Sequence, residues 1–215
     1  MVLSVWWQRE AWIKSANSLR DIREWIEHLR SIHPLARVIQ IVTNGLEAME
    51  GNDHRLLGAE LVWLLREAGR DSEALQVLDK MLKQYPDDVR HAISKTSLYL
   101  YSLDQPEDAL RWIDVALERA HRTGYFRREA LGVKARILLK LGRGDALSDI
   151  LEEIMSLQIG KDVPDIGRER DFVDRAPPGF IRKNILDRYN EFRPKRPTGS
   201  LADEPPEYEP PDDGN

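Results

Sequence analysis

The sequence of 215 residues contains no cysteine. Disulfide bonds, zinc sites built on thiolates and a cysteine nucleophile are therefore excluded. The chain also lacks an excess of positive charge, because its formal net charge is −5. Since nucleic-acid-binding domains usually carry a basic excess, this balance argues against a nucleic-acid partner.

Long apolar runs are missing as well. The N-terminal segment is apolar only as far as Trp7, and Gln8, Arg9 and Glu10 then interrupt it, so it has no signal-peptide core. No apolar run approaches the roughly 20 residues that a membrane-spanning helix needs. These absences predict a cytoplasmic protein that binds no membrane.

Recognised catalytic motifs are absent from the sequence. The stretch GRGDAL at 142–147 lacks the lysine and the spacing of a phosphate-binding loop, and no G-x-S-x-G motif occurs. Glu24 and His28 have the i, i+4 spacing of a helical metal pair, but no third ligand lies nearby in the sequence. We therefore predict no enzymatic activity, no metal and no cofactor, with an enzyme of unrecognised type as the alternative.

Three stretches of the sequence resemble one another, at 69–86, 104–121 and 142–159. Each begins with Gly or Asp, places an acidic residue before an Ala-Leu pair, and continues with apolar residues at offsets i, i+4 and i+7. Those offsets form one face of an α-helix. The apolar residues are Ala74, Leu78, Met81 and Tyr85 in the first stretch, Ala109, Ile113, Ala116 and Ala120 in the second, and Leu147, Leu151 and Ile154 in the third.

Further helices are predicted before each of these stretches, at 54–68, 88–102 and 125–141. The unit is therefore a helix, a short turn and a second helix, and successive units are 35 and 38 residues apart. It resembles the tetratricopeptide repeat (TPR), with Gly69 at the turn glycine and Pro86 at the closing proline. Two residues depart from the family pattern. Val62 stands where the family has a small residue, and Asp104 stands where it has the turn glycine.

The resemblance implies an all-α fold, an α-solenoid of antiparallel helix pairs stacked in a right-handed superhelix. We predict a helical repeat domain over residues 1–158, with regular repeats over about 55–158. A degenerate N-terminal repeat is expected at 3–34, followed by an extra helix at 35–50 that would kink the stack or alter the helix pairing.

The C-terminal region has a different composition. Residues 159–196 are predicted to hold a loop and then a helix, at 180–192, that caps the exposed end of the stack. Residues 197–215 contain six acidic residues, five prolines and no basic residue. We predict that this tail is disordered, because it cannot bury enough apolar surface to offset its ordering entropy.

The resemblance implies a non-catalytic adaptor that binds a peptide or helix of another protein in a concave groove lined by the first helix of each repeat. Trp63 lies on such a helix; burial in the core is its favoured interpretation, and an exposed binding anchor is the alternative. Tyr99, Tyr101 and Lys134 are expected to be its neighbours along the groove. The family's carboxylate clamp is not supported, because only Arg128 matches its pattern.

Basic residues are concentrated between positions 119 and 143, and Arg136, Lys140 and Arg143 share a helical face. A solvated outer face is the favoured interpretation. The alternative is a patch inside the groove that binds an acidic peptide, with the acidic tail of the chain as a competitor for it. Two other functions stay open: a chaperone resembling those of bacterial secretion, and an assembly module in which the tryptophan-rich N-terminus forms a homodimer.

Overall fold

The computed structural model describes residues 19–157 and 170–192, and all regular structure in these two segments is helical. The predicted segment 197–215, the N-terminal tryptophans and most of the predicted loop at 159–169 lie outside the described residues. The helices are α1 (Leu19–Ile32), α2 (Leu35–Glu47), α3 (Gly51–Glu67), α4 (Asp71–Gln84), α5 (Val89–Ser97), α6 (Pro106–Thr123), α7 (Arg127–Lys140), α8 (Gly144–Ser156), α9 (Arg170–Val173) and α10 (Lys183–Phe192). A π-helical turn, Leu98–Ser102, extends α5.

The helices pack in sequential pairs, with α3 against α4, α5 against α6 and α7 against α8. Neighbouring pairs also contact each other, because α4 packs on α5 and α6 packs on α7. This arrangement confirms the predicted all-α solenoid of stacked helix pairs. At the two ends, α1 contacts both α2 and α3, α9 contacts α7, and α10 contacts α8.

The apolar faces predicted from the repeat pattern form the core. Ala74, Leu78, Ala109, Ile113 and Leu147 are all fully buried. The small side chains of Ala74 and Ala109 let the paired helices approach closely, as the interdigitation of ridges and grooves requires. The cores of neighbouring pairs adjoin each other, because Leu98 of the π-helical turn packs with the residues of α1 to α4.

The turn between the two helices of each pair has a left-handed residue at the same place in all three units. Gly69, Asp104 and Gly142 have φ angles of 69°, 53° and 71°. This conformation ends a helix without a steric penalty for glycine, and aspartate is one of the few other residues that tolerates it. Asp104 therefore replaces the missing turn glycine in both position and backbone geometry.

Gly58 lies where α3 and α4 approach each other closely. A Cβ atom added there would lie 2.6 Å from the Sδ of Met81. Val62, which stands where the TPR family has a small residue, is buried on the same helix, and the small residue of this helix, Gly58, lies one turn earlier.

The division of the N-terminal region into a repeat at 3–34 and an extra helix at 35–50 stays a prediction, because residues 3–18 lie outside the described residues. The described part of this region contains α1, which packs on α2 and α3. Within the two described segments, no helix is both long enough and apolar enough to cross a membrane.

Candidate functional site

A cavity of about 340 Å³ lies on the side of the stack formed by α1, α3, α5 and the start of α7. We call it the groove cavity. All but α1 are first helices of the three regular pairs, the helices predicted to line the binding surface. Its wall is formed by Arg23, Arg55, Leu56, Ala59, Glu60, Val62, Trp63, Arg66, Asp88, Arg90, His91, Ile93, Ser94, Phe126 and Glu129.

Trp63 is the large exposed aromatic residue of this cavity, with 46% of its surface accessible. The favoured interpretation of Trp63 as a core residue is therefore wrong. Leu57, Leu61 and Leu64 fill the interior from the same helix and leave Trp63 on the remaining open side. The guanidinium of Arg30 lies over the indole ring at 5.0 Å and holds it in place.

Two acidic residues of the cavity wall are buried and paired with arginine. The Nε of Arg23 donates to Glu60 at 2.8 Å, and the Nη1 of Arg55 donates to Asp88 at 3.1 Å. Glu60 is 6% exposed and Asp88 is 8% exposed. Since a buried carboxylate needs a partner to remain charged, these two arginines act as structural counter-ions.

Asp88 also begins α5, because its Oδ1 accepts a hydrogen bond from the backbone N–H of His91 at 3.0 Å. Burial alone would raise the pKa of the Asp88 carboxyl, but the neighbouring His91, including its backbone N–H, and the charge of Arg55 hold this pKa well below its usual range. The carboxylate therefore stays charged at neutral pH and is not suited to exchanging protons with a substrate.

Two other arginines of the wall have no acidic partner within the described residues. The Nε of Arg66 is buried without a hydrogen-bond partner there. The guanidinium of Arg90 lies over the Phe126 ring at 4.7 Å. Together with Trp63, they give the cavity wall an exposed aromatic ring and two cations that form no ion pair within the described residues, an arrangement that can receive an apolar side chain and a carboxylate.

The other predicted site residues lie elsewhere. Tyr101, Arg136 and Lys140 line a second cleft of about 280 Å³ at the C-terminal end of α7. Lys134 forms an ion pair with Asp114 of α6 at 2.7 Å. Tyr99 packs against the core formed by α5, α6 and α7, and the pKa of its hydroxyl is raised by burial and then by the charges of Asp108 and Asp79.

Arg128 is half-buried near the start of α7 and is not part of the cavity wall. The structure thus places only Trp63, of the predicted site residues, at the groove cavity.

All four arginines of the cavity wall were missed by the sequence analysis. The sequence did contain a signal for Arg55 and Arg90. Arg55, Arg90 and Arg128 are separated by 35 and then 38 residues, the same separations that relate Ala74, Ala109 and Leu147. Arginine thus recurs at one position of successive first helices. Within the described segments, no group of three His, Asp or Glu side chains is arranged to hold a metal ion.

The fold places the chain among all-α solenoids built from helix pairs. A comparison with solved structures identifies that class as the TPR-like repeat. A protein of Podosopora anserina, assigned provisionally as a kinesin light chain with nearly identical TPR-like repeats, aligns over 81% of this chain and 93% of its own length, with 11% identity and a TM-score of 0.56.

A single-substitution variant of that protein aligns over 81% of this chain and 92% of its own, with 12% identity and a TM-score of 0.57. This chain therefore has a TPR-like repeat fold. No protein-family model matches the sequence. No curated protein matches it either.

Proposed function

We propose that this protein is a non-catalytic adaptor that binds a segment of a partner protein in the groove cavity. The observation that carries this proposal is the exposure of Trp63, 46%, on the wall of a cavity that four helices form together. A half-exposed tryptophan held by a neighbouring arginine offers a large contact area at a low entropic cost. Residues of this kind dominate the binding energy of protein interfaces.

The charges of the cavity favour a partner segment with an acidic residue next to an apolar one. Arg23 and Arg55 are already engaged by Glu60 and Asp88. Arg66 and Arg90, for which the described residues show no ion pair, then remain to pair with a carboxylate of the partner. The apolar residue would lie on the indole of Trp63, between these helices.

Binding is supported over catalysis by the state of the buried acids. General acid–base chemistry needs a group whose pKa lies near the working pH. The pKa of Asp88 is lowered, and so lies further from neutral pH. The carboxylate of Glu60 is paired with Arg23. The wall is therefore suited to holding a partner in position.

Site-specific photo-crosslinking in native cell extract tests this proposal. A photoreactive amino acid at Ala59, on the cavity wall, should crosslink one discrete partner. The same amino acid at Lys80, exposed on the second helix α4, is the matched control and should not. Trp63→Ala should abolish the Ala59 crosslink, whereas Tyr101→Ala, which removes an exposed aromatic residue of the other cleft, should leave it intact. Equal crosslinking from both positions, or a crosslink indifferent to Trp63→Ala, would overturn the proposal.

A further inference from the structure

The second cleft lies at the opposite end of α5 and α7 from the groove cavity. Its floor is apolar and aromatic, with Leu100 from the π-helical turn, Leu139 from α7 and Phe172 from α9. Tyr101, Arg136, Lys140 and Arg175 surround this floor. We call it the α7 cleft; it shares no wall residue with the groove cavity.

Positive charge predominates around the α7 cleft. Arg136 lies over the Phe172 ring at 5.8 Å, and neither it nor Arg175 forms an ion pair within the described residues. Lys140 donates to the backbone oxygen of Leu100 at 3.3 Å and pairs with Asp104. Among the described residues, Asp104 is the acid that forms an ion pair with a cation of this cleft, and its side chain is 78% exposed.

Four other cations of the same part of the sequence have an acidic partner. The ion pairs are Arg122 with Asp87, Arg127 with Glu153, Lys134 with Asp114, and Arg143 with Glu107. These four pairs account for half of the eight basic residues between positions 119 and 143, and the solvated-face interpretation stays a prediction. Arg136 lies at the α7 cleft without an ion pair in the described residues, next to an exposed tyrosine and a phenylalanine.

We propose that the α7 cleft binds the acidic tail of its own chain, residues 203–213. This stretch contains Asp203, Glu204, Glu207, Glu209, Asp212 and Asp213. Its charge complements that of the cleft, and no basic residue in it competes for the carboxylates. Tyr208, in the middle of the stretch, supplies a ring that fits the Leu139–Phe172 floor, and the four prolines around it lower the entropy lost on binding.

The connection is long enough for this contact. Asp203 is eleven residues beyond Phe192, the end of α10, and an extended chain of that length spans at most about 36–40 Å. Since α10 packs on α8 and α8 packs on α7, two interhelical distances of roughly 8–10 Å each separate α10 from α7. The length of α7, at most about 21 Å, runs roughly at right angles to that offset, so the two together span about 26–29 Å, less than the reach of the chain. Covalent attachment also gives the tail an effective concentration in the cleft on the order of millimolar.

The tail would occupy a surface apart from the groove cavity, so the proposal goes beyond the adaptor function and is independent of it. The sequence analysis considered competition between the tail and an acidic peptide for a basic patch in the groove; the proposal places the tail in the α7 cleft instead. An acidic segment of a partner protein is the other occupant that the charge of the cleft would suit, and the experiment distinguishes the two.

Paramagnetic broadening in the full-length chain tests the proposal. Because the chain has no cysteine, Ser200→Cys provides a single site for a nitroxide label that leaves every acidic residue of the tail in place. The backbone amide signals of Leu139, Lys140 and Phe172 should lose intensity and recover when the nitroxide is reduced. Those of Leu56 and Ala59, on the groove cavity, should not change.

Two variants identify the cause of the broadening. Neutralising all six acids of the tail, Asp to Asn and Glu to Gln, leaves every described residue unchanged and should restore the signals. The pair Arg136→Glu with Arg175→Glu should also restore them, whereas Lys80→Glu with Lys83→Glu, on α4, should not. Raising the ionic strength from about 0.05 M to about 0.5 M should weaken the broadening, because exposed charges are screened.

Three results would overturn the proposal. Unbroadened cleft signals in the full-length protein would leave the cleft to an acidic segment of a partner. Broadening at Leu56 and Ala59 would place the tail in the groove cavity. Broadening that survives neutralisation of the tail would exclude charge complementarity as its cause.

Discussion

The groove cavity and the α7 cleft both combine basic side chains with aromatic rings, but their acidic residues differ in exposure. In the groove cavity, Glu60 and Asp88 are buried beneath their arginines, with side chains 8% and 3% exposed. At the α7 cleft, Asp104, the acid that pairs with Lys140, is 78% exposed. Coulomb attraction is strong where water is excluded and weak where it is not. The same pairing of opposite charges is therefore structural in the first region and weakly held in the second.

Replacing the acid of each region by its amide should give the largest difference. Asp88→Asn keeps an N-cap oxygen for α5 but removes the buried charge, and should cost about 1–3 kcal/mol in the free energy of unfolding. Asp104→Asn keeps a side chain that tolerates the left-handed backbone, and should change that free energy by less than about 0.5 kcal/mol. Urea unfolding of both variants beside the wild type measures the two values.

The pH dependence of the same pair sharpens this test. The pKa of Asp88 is lower in the folded than in the unfolded chain, so its contribution to stability is complete above the unfolded pKa of about 3.9 and is lost as pH falls through the folded value. The difference between the wild type and Asp88→Asn should therefore shrink below about pH 4. A difference that stays constant from neutral pH to about pH 3 would show that the charge is not its source.

Glycine-to-alanine replacements on α3 and α7, helices that contribute to the two regions, should change the free energy of unfolding in opposite directions. Gly58→Ala on α3 places a Cβ atom 2.6 Å from the Met81 Sδ, and the forced shift should cost about 0.5–2 kcal/mol even after the gain in helix propensity. Gly132→Ala on α7 meets nothing within 4 Å, so it should stabilise the protein by up to about 1 kcal/mol. Thermal unfolding should show one melting temperature lowered and the other raised; two shifts of the same sign would contradict the close approach at Gly58.

Removing one arginine of an ion pair should have the smallest effect. Arg23→Gln leaves the buried Glu60 with a weaker partner and should cost about 1 kcal/mol. Arg143→Gln breaks a pair with Glu107 in which both side chains are about half exposed, and should cost less than about 0.5 kcal/mol. Chemical denaturation in low and high salt checks both values. Equal losses would mean that burial of the acid does not decide the strength of these pairs.

The apolar pattern predicted the helices and most of the core because helical periodicity is a local property of the sequence. Ala74, Ala109 and Leu147 could be placed at helix contacts from their spacing alone. Trp63 could not, because α3 is apolar around most of its circumference and its spacing does not reveal which side stays open.

The division of the predicted site into two places depends on contacts distant in sequence. The cleft around Tyr101 and Arg136 is completed by Phe172, more than 30 residues further along the chain. The partners that neutralise Lys134 and Arg143 lie on α6, 20 and 36 residues away. Charge counts along the sequence cannot show which cations are neutralised in this way, and that distinction is what separates the α7 cleft from the rest of the basic patch.

Hydrogen exchange on the complex captured through Ala59 tests the central claim most directly. Binding in the groove cavity predicts slower exchange over residues 56–66 of α3 and at the start of α5, with residues 136–140 of α7 unchanged. Protection confined to 136–140, or to the second helices α4 and α6, would contradict a partner site in the groove cavity.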